Sequence, residues 1–241
     1  MQTTLCFDFG NTRLKCAVFK DRDFFVEKVL EQADMASVKA LLDEFVPNKS
    51  ILSSVINHSP YIEELLAKYT RFHKLGYGSK LPLTSPVGKP ETIGADRLAI
   101  LAAAVDIFPK QHSLAIGLGT CITYNYINNA HEFLGGSISP GMQMRFRAMH
   151  EQTALLPLVK ADSNFPLVGY DTKTNLLSGV ILGMAKEIDG IIDAYQEKYN
   201  HLNVLITGGD MLFLTPLLKN KVLADPQLLY KGLYAISELN N

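Results

Sequence analysis

Leu5-Cys-Phe-Asp-Phe-Gly-Asn-Thr-Arg-Leu-Lys-Cys-Ala-Val-Phe19 decides how the rest of the chain is read. An apolar run stops at Asp8, turns through Gly10-Asn11-Thr12 and resumes as an alternating apolar and polar run from Arg13 to Lys20. That pattern predicts a β-hairpin with its polar groups at the tip. Gly10 lets a ligand approach the backbone, Asn11 tolerates turn dihedrals and Thr12 offers a hydroxyl. Asp8, at a strand end, is placed to hold Mg²⁺ directly or through water, and Lys15 adds a cation. Taken alone, the stretch reads equally as an ordinary hairpin whose Gly and Asn serve the turn.

The chain has 241 residues, 47% apolar and 20% charged, enough for one large domain or two modest ones. A formal net charge of -1, with Lys and Arg scattered, gives no basic footprint, so nucleic acid is not expected as a partner. The start has no basic leader segment, and the apolar run Leu98 to Val105 is far short of the roughly 20 residues of a membrane span. A soluble, cytoplasmic protein with no membrane contact is expected. Cys6, Cys16 and Cys121 each lie in an apolar strand-like run and read as free thiols.

After the hairpin, Asp23 to Leu30 reads as a third strand, and Asp34 as the cap of a helix whose Val38, Leu41, Leu42 and Phe45 share one face. Ser50 to Ile56 is a strand, Ser59-Pro60 the cap and first position of a helix to Tyr69, and Arg71 to Leu75 a short strand. Gly76, Gly78, Pro82, Pro86, Gly88, Pro90 and Gly94 then forbid a regular element, which predicts a long ligand-facing excursion leading to a helix through Leu98 to Phe108. From His112 the order starts again: a strand to Leu118, a Gly119-Thr120 turn, a strand Cys121 to Ile127 and a third run Glu132 to Ser139. A short helix after Gly141, a long one from about Thr172 to Lys198, a strand Leu202 to Ile206, a helix after Gly208-Gly209 and a last helix near Tyr230 to Leu239 complete it. Both halves read as three meandering strands followed by alternating helix and strand, which predicts an internal duplication with a boundary near residue 110 and a ligand-holding cleft between like domains.

Four Gly-marked tips are expected to face that cleft: Asp8 to Lys15, Gly117 to Thr123, Gly135-Gly136 with Pro140-Gly141, and Thr207-Gly208-Gly209-Asp210. Together they supply backbone N–H groups, helix N-termini and small hydroxyl side chains, which is what phosphate binding requires. Asp96-Arg97 is the sharpest acid and base candidate. An Asp opening a helix after a Gly and Pro loop can take a proton from a substrate hydroxyl while the neighbouring Arg grips an anion. The plainer alternative is an Asp that complements the helix dipole beside a solvated Arg. There is no GxxxxGK[ST] loop, HExxH or GxSxG, and the six His show no ligand spacing.

Over nearly its whole length the chain resembles the type III pantothenate kinases of the acetate and sugar kinase, Hsc70 and actin superfamily. Asp8-Phe-Gly-Asn-Thr-Arg-Leu-Lys15 is similar to the family's DxGNTxxK segment, Gly94-Ala-Asp-Arg97 to its GxDR segment, Gly119-Thr120 to GTxxT, and Gly135-Gly-Ser-Ile-Ser-Pro-Gly141 to GGxIxPG. Asp171-Thr172 with Ser178-Gly179 fits the stretch from which a Thr contacts substrate.

The resemblance implies an α/β protein of two duplicated actin-like (ribonuclease H-like) domains, 1–110 and 111–241, with dimerisation in the second. It implies ATP-dependent phosphorylation of pantothenate, the first step toward coenzyme A. ATP would be bound by Asp8, Phe9, Gly10, Asn11, Thr12, Arg13, Leu14, Lys15 and Thr120, with Mg²⁺ on Asp8 and Lys15 offsetting phosphate charge. Pantothenate would be bound by Gly94, Ala95, Asp96, Arg97 and Thr172, with Asp96 the catalytic residue and Thr172 supplied by the partner in a homodimer built on the long helix. Three departures stand out. Gly117 and Asn125 occupy positions that are acidic in the family, where an activating K⁺ or NH₄⁺ binds, so that site is either absent or rebuilt from backbone carbonyls. Val87 stands where a substrate-contacting Tyr is common. Two other readings stay open on the residues alone: a different small-molecule kinase of the superfamily, or a nucleotide-dependent regulator that has lost catalysis.

Overall fold

The computed structural model describes residues 2–86 and 88–241. The chain is α/β and divides into two compact units, one made of 1–109, 131–133 and 227–241, the other of 110–130 and 134–226.

In the first unit, β1 (Thr3–Phe9), β2 (Leu14–Lys20), β3 (Asp23–Leu30), β4 (Lys49–Ser54) and β5 (Arg71–Lys74) form a five-stranded sheet in the order β3-β2-β1-β4-β5. β2 is antiparallel to β1 and β3, whereas β1 pairs with β4, and β4 with β5, in parallel. Alternation along β1 explains the two layers that cover the sheet. Leu5, Phe7 and Phe9 point to one side, against Val38, Leu41 and Leu42 of α1 (Met35–Phe45) and Ile62 and Leu66 of α2 (Pro60–Tyr69). Cys6 points to the other, against Leu98, Ala99 and Ala102 of α3 (Ala95–Ile107). Each fully buried side chain of this kind contributes about 1.5–3 kcal/mol of transfer free energy.

Asp34 caps α1 by accepting from the Ser37 amide, as its position predicts. Ser59 is the N-cap of α2, but its hydroxyl makes no capping bond. The long excursion after β5 is pinned to 131–133, where the Thr84 amide donates to His131 and the Phe133 amide to Thr84.

In the second unit, β6 (Ser113–Leu118), β7 (Cys121–Ile127), β8 (Phe133–Pro140), β9 (Asn203–Thr207) and β10 (Leu223–Ala224) form a sheet in the order β10-β9-β6-β7-β8. Taken by position along the chain, the third, second, first, fourth and fifth strands lie side by side, as they do in the first sheet. Leu114, Ile116 and Leu118 of β6 and Ile122, Tyr124 and Tyr126 of β7 pack with Met142 and Phe146 of α4 (Met142–Glu151) and with Leu177, Val180, Ile181 and Met184 of α5 (Thr172–Lys198). The helix after Gly208-Gly209 is a short α6 (Met211–Leu214) running into a 3₁₀ turn at Thr215–Leu217.

The last helix, α7 (Leu228–Asn240), belongs to the first unit, where Tyr230, Leu233 and Ile236 join α3 in the core. Among the described residues no helix is long and apolar enough to cross a membrane. The three cysteines are free, Cys6 and Cys16 buried and Cys121 partly so.

Candidate functional site

The first unit brings Asp8, Lys15 and Asp96 into one electrostatic neighbourhood. Asp8 sits near the end of β1, directly opposite Lys15 in the antiparallel register. Burial pushes its carboxyl up to about 7, the Asp96 carboxylate pushes in the same direction, and Lys15 opposes them. The hairpin tip is closed by the Gly10 amide donating to the Arg13 carbonyl at 3.1 Å, and Asn11, Thr12 and Arg13 are exposed. Phe9 is fully buried among Phe7 and His58, and Leu14 likewise packs against the core.

Lys15 is held by a group that sequence reading did not single out. Its Nζ lies 3.0 Å from Glu27 Oε1 and donates to Glu27 Oε2 at 3.1 Å. The same carboxylate accepts from the Tyr230 hydroxyl of α7 at 2.8 Å. Glu27 occupies an alternating edge strand, where a carboxylate reads as a solvent-facing charge. The β2–β3 register, which sets Ala17 opposite Glu27, brings it diagonally beside Lys15.

Asp96 lies in the first turn of α3, half-buried, where a negative charge suits the helix dipole. Its Oδ1 accepts from the Arg97 amide at 2.9 Å. Gly94 makes this orientation possible, because a Cβ there would stand 2.5 Å from Asp96 Oδ1. Ala95 is half-buried against the α3 and α7 core, and Arg97 holds its guanidinium carbon 5.5 Å from the centre of the Phe133 ring. Burial lowers the Arg97 guanidinium from its usual range, with Asp96 opposing the shift. A half-buried cation on an aromatic face, next to a carboxylate at a helix N-terminus, suits an anionic substrate that carries a hydroxyl.

In the second unit, three of the four Gly-marked tips converge. The Gly119-Thr120 turn follows β6, the Gly141 amide donates to the Thr120 carbonyl at 3.1 Å, and the Asp210 amide donates to Leu118 at 3.2 Å. Gly208 supplies the left-handed backbone of the third tip, with φ +112. Asp210 is pushed up by burial, against the lowering effect of the bond its carboxylate takes from the Met142 amide at the start of α4. Behind the second tip, Glu187 of α5 accepts from Tyr124, Ser139 and Arg145, and Arg145 Nε donates to the Pro140 carbonyl at 2.9 Å. Sequence reading found none of these supports, because the Glu187 bonds join residues far apart in the chain.

Thr120 and Thr172 belong to this second unit. Thr172 is the exposed first residue of α5, after a capping box between Asp171 and Thr174, and lines a cavity of about 300 Å³ with Met149, Leu156, Asn175 and Val180. Val87 lies outside the described residues.

Residues 4–194 match the family model described as type III pantothenate kinase. The chain is 38% identical over 238 residues to a type III pantothenate kinase from Christiangramia forsetii, covering 98% of each. Among solved structures it is similar to a Campylobacter jejuni protein assigned to the Baf family of transcriptional activators, at TM-score 0.60 and 22% identity over 97% of each chain. It is also similar to a glucokinase from an Antarctic psychrotroph, at TM-score 0.52 and 9% identity over 99% of each, a likeness of fold alone.

Proposed function

The chain belongs to the type III pantothenate kinase family, and on that premise we propose that it moves the γ-phosphoryl group of ATP to the primary hydroxyl of pantothenate, giving 4'-phosphopantothenate for coenzyme A synthesis. One observation carries the reading beyond the family: Asp96, oriented over Gly94 beside Arg97, acts through space on Asp8 of the phosphate-binding hairpin. A group suited to an acceptor hydroxyl and a group suited to a nucleotide are thereby neighbours.

Asp96 takes the proton of the pantothenate hydroxyl as its oxygen attacks the γ-phosphorus, and ADP leaves with the bridging oxygen. The transition state is loose, so most of the acceleration comes from positioning and charge neutralisation, with the base contributing about 10²- to 10⁴-fold. Arg97 pairs with the pantothenate carboxylate, and the first turn of α3 at Gly94 and Ala95 faces the same substrate. The triphosphate is held by the hairpin tip, through Gly10, Asn11, Thr12 and Arg13 and the backbone of Phe9 and Leu14. Lys15, steadied by Glu27, offsets phosphate charge.

Asp8 is the residue that would hold Mg²⁺. Burial, and then the neighbouring Asp96 carboxylate, disfavour its ionised form and raise it to about 7, a cost that a bound divalent cation would offset. An ion held by Asp8 would supply charge neutralisation for the transferred phosphate.

Two duplicated actin-like domains are supported by the shared strand order of the two sheets, with the boundary near residue 110 and the terminal helix α7 packed into the first. A homodimer built on the second domain, with Thr172 given to the partner's substrate, is supported by Leu155, Leu167, Val168 and Tyr170, all strongly exposed on the segment joining α4 to α5. The working place of such an enzyme is the cytoplasm, with neither nucleic acid nor membrane as partner.

A coupled ADP-release assay with a panel of acceptors tests the proposal. Turnover with pantothenate, and none with glucose, mannose or N-acetylmannosamine, is expected. Turnover with a hexose instead would move the chain to another kinase activity.

A further inference from the structure

The fold family brings with it a monovalent cation, and the residues that would hold one here do not fit it. Register pairs Ala115 with Asn125 and Gly117 with Thr123 across β6 and β7, so these four share one face of the second sheet. It is the face opposite Leu114, Ile116, Tyr124 and Tyr126, which enter the core. β9 adds Thr207 opposite Gly117. A buried K⁺ or NH₄⁺ needs oxygen ligands and a carboxylate to balance its charge. Gly117 has no side chain, and Asn125, fully buried, is neutral. Its Nδ2 donates to the Ala115 carbonyl at 3.0 Å and, in a fork, to the Thr123 hydroxyl and carbonyl at 3.2 and 3.4 Å. These oxygens are the ones a cation would gather, and N–H groups already satisfy them.

We infer that the Asn125 side chain takes the place of the monovalent cation, tying β7 to β6 through Ala115 and bracing Thr123 of its own strand, so that the Gly119-Thr120 turn keeps its shape without K⁺ or NH₄⁺. A buried carboxylate at this position would need the cation to balance it, whereas a neutral amide needs no counter-ion. Gly117 removes the remaining anionic ligand. Asn125 is in this sense a positioning residue, acting on the turn and not on the reacting atoms. The inference rests on the kinase reading where it concerns turnover, but not where it concerns stability.

The experiment measures initial rates with pantothenate and MgATP in K⁺, NH₄⁺, Na⁺ or tetramethylammonium at equal ionic strength. Unfolding midpoints of wild type, Asn125→Asp and Gly117→Asp/Asn125→Asp are measured in the same salts. Wild type should show equal rates within about twofold and one midpoint in all four, because a ligand that binds no site gives no mass-action stabilisation. The Asp variants, which turn amide donors into an anion facing two carbonyl oxygens, should unfold earlier in Na⁺ and be restored by K⁺ or NH₄⁺. A wild-type rate or midpoint that rises in K⁺ or NH₄⁺ over Na⁺ would overturn the inference. Should the variants fail to fold, the wild-type midpoints decide. Absence of turnover in every salt would sink the kinase reading, while the midpoints would still judge the role of Asn125.

Discussion

The Tyr230 hydroxyl donates to Glu27 Oε2 at 2.8 Å, and the same carboxylate holds Lys15 on the neighbouring strand. The last helix of the chain is thereby tied to the hairpin at its beginning. Tyr230 is almost wholly buried, and burial, with Glu27 beside it, raises its phenol far above the usual range, so it serves as a neutral donor.

Tyr230→Phe removes that donor while keeping the ring. A hydrogen bond to a charged group contributes about 1.5–3 kcal/mol, so urea unfolding should show a loss of that order. An unchanged midpoint would mean that the bond does not hold α7 to the hairpin.

Gly94→Ala should cost activity more than stability. The added methyl would stand 2.5 Å from Asp96 Oδ1 and turn the carboxylate away, and a misplacement of about 1 Å can cost about 10²-fold in rate. Turnover should collapse with a thermal midpoint near that of wild type. Equal losses of both would show that Gly94 serves the fold and not the orientation of Asp96.

The second unit should carry an acid-sensitive contribution through Glu187. Burial pushes its carboxyl up, but the bonds from Ser139, Arg145 and Tyr124 outweigh this and hold it below the usual carboxylate range. A group with a lowered folded pKa stabilises fully above its unfolded pKa, and loses that contribution as pH falls through the folded one. Thermal midpoints of wild type should therefore fall more steeply below the carboxylate range than those of Glu187→Gln. Parallel curves for the two proteins would rule the contribution out.

Much of this was open to reading from local pattern. The opening hairpin, the Asp34 cap, the face of α1 and the full span of α5 all follow from periodicity and capping chemistry within a few residues. What escaped is what distance in sequence hides. Asp210 at the start of α4 and α7 returning to the first unit each need a tertiary contact that no local window contains, while Glu27 beside Lys15 needs the residue-by-residue register of β2 on β3. β10, only Leu223–Ala224, is too short to carry an alternating signal. Phe9 stood in a phosphate-binding motif, yet the same alternation that placed Leu5 and Phe7 in the core places it there too.

The most direct measurement follows the γ-phosphoryl label of ATP into pantothenate, with wild type and Asp96→Asn side by side and ATP binding measured calorimetrically on both. Wild type should give labelled phosphopantothenate, and the variant should bind ATP alike while losing about 10²- to 10⁴-fold in transfer. Label appearing only as inorganic phosphate, or undiminished transfer by the variant, would contradict the account.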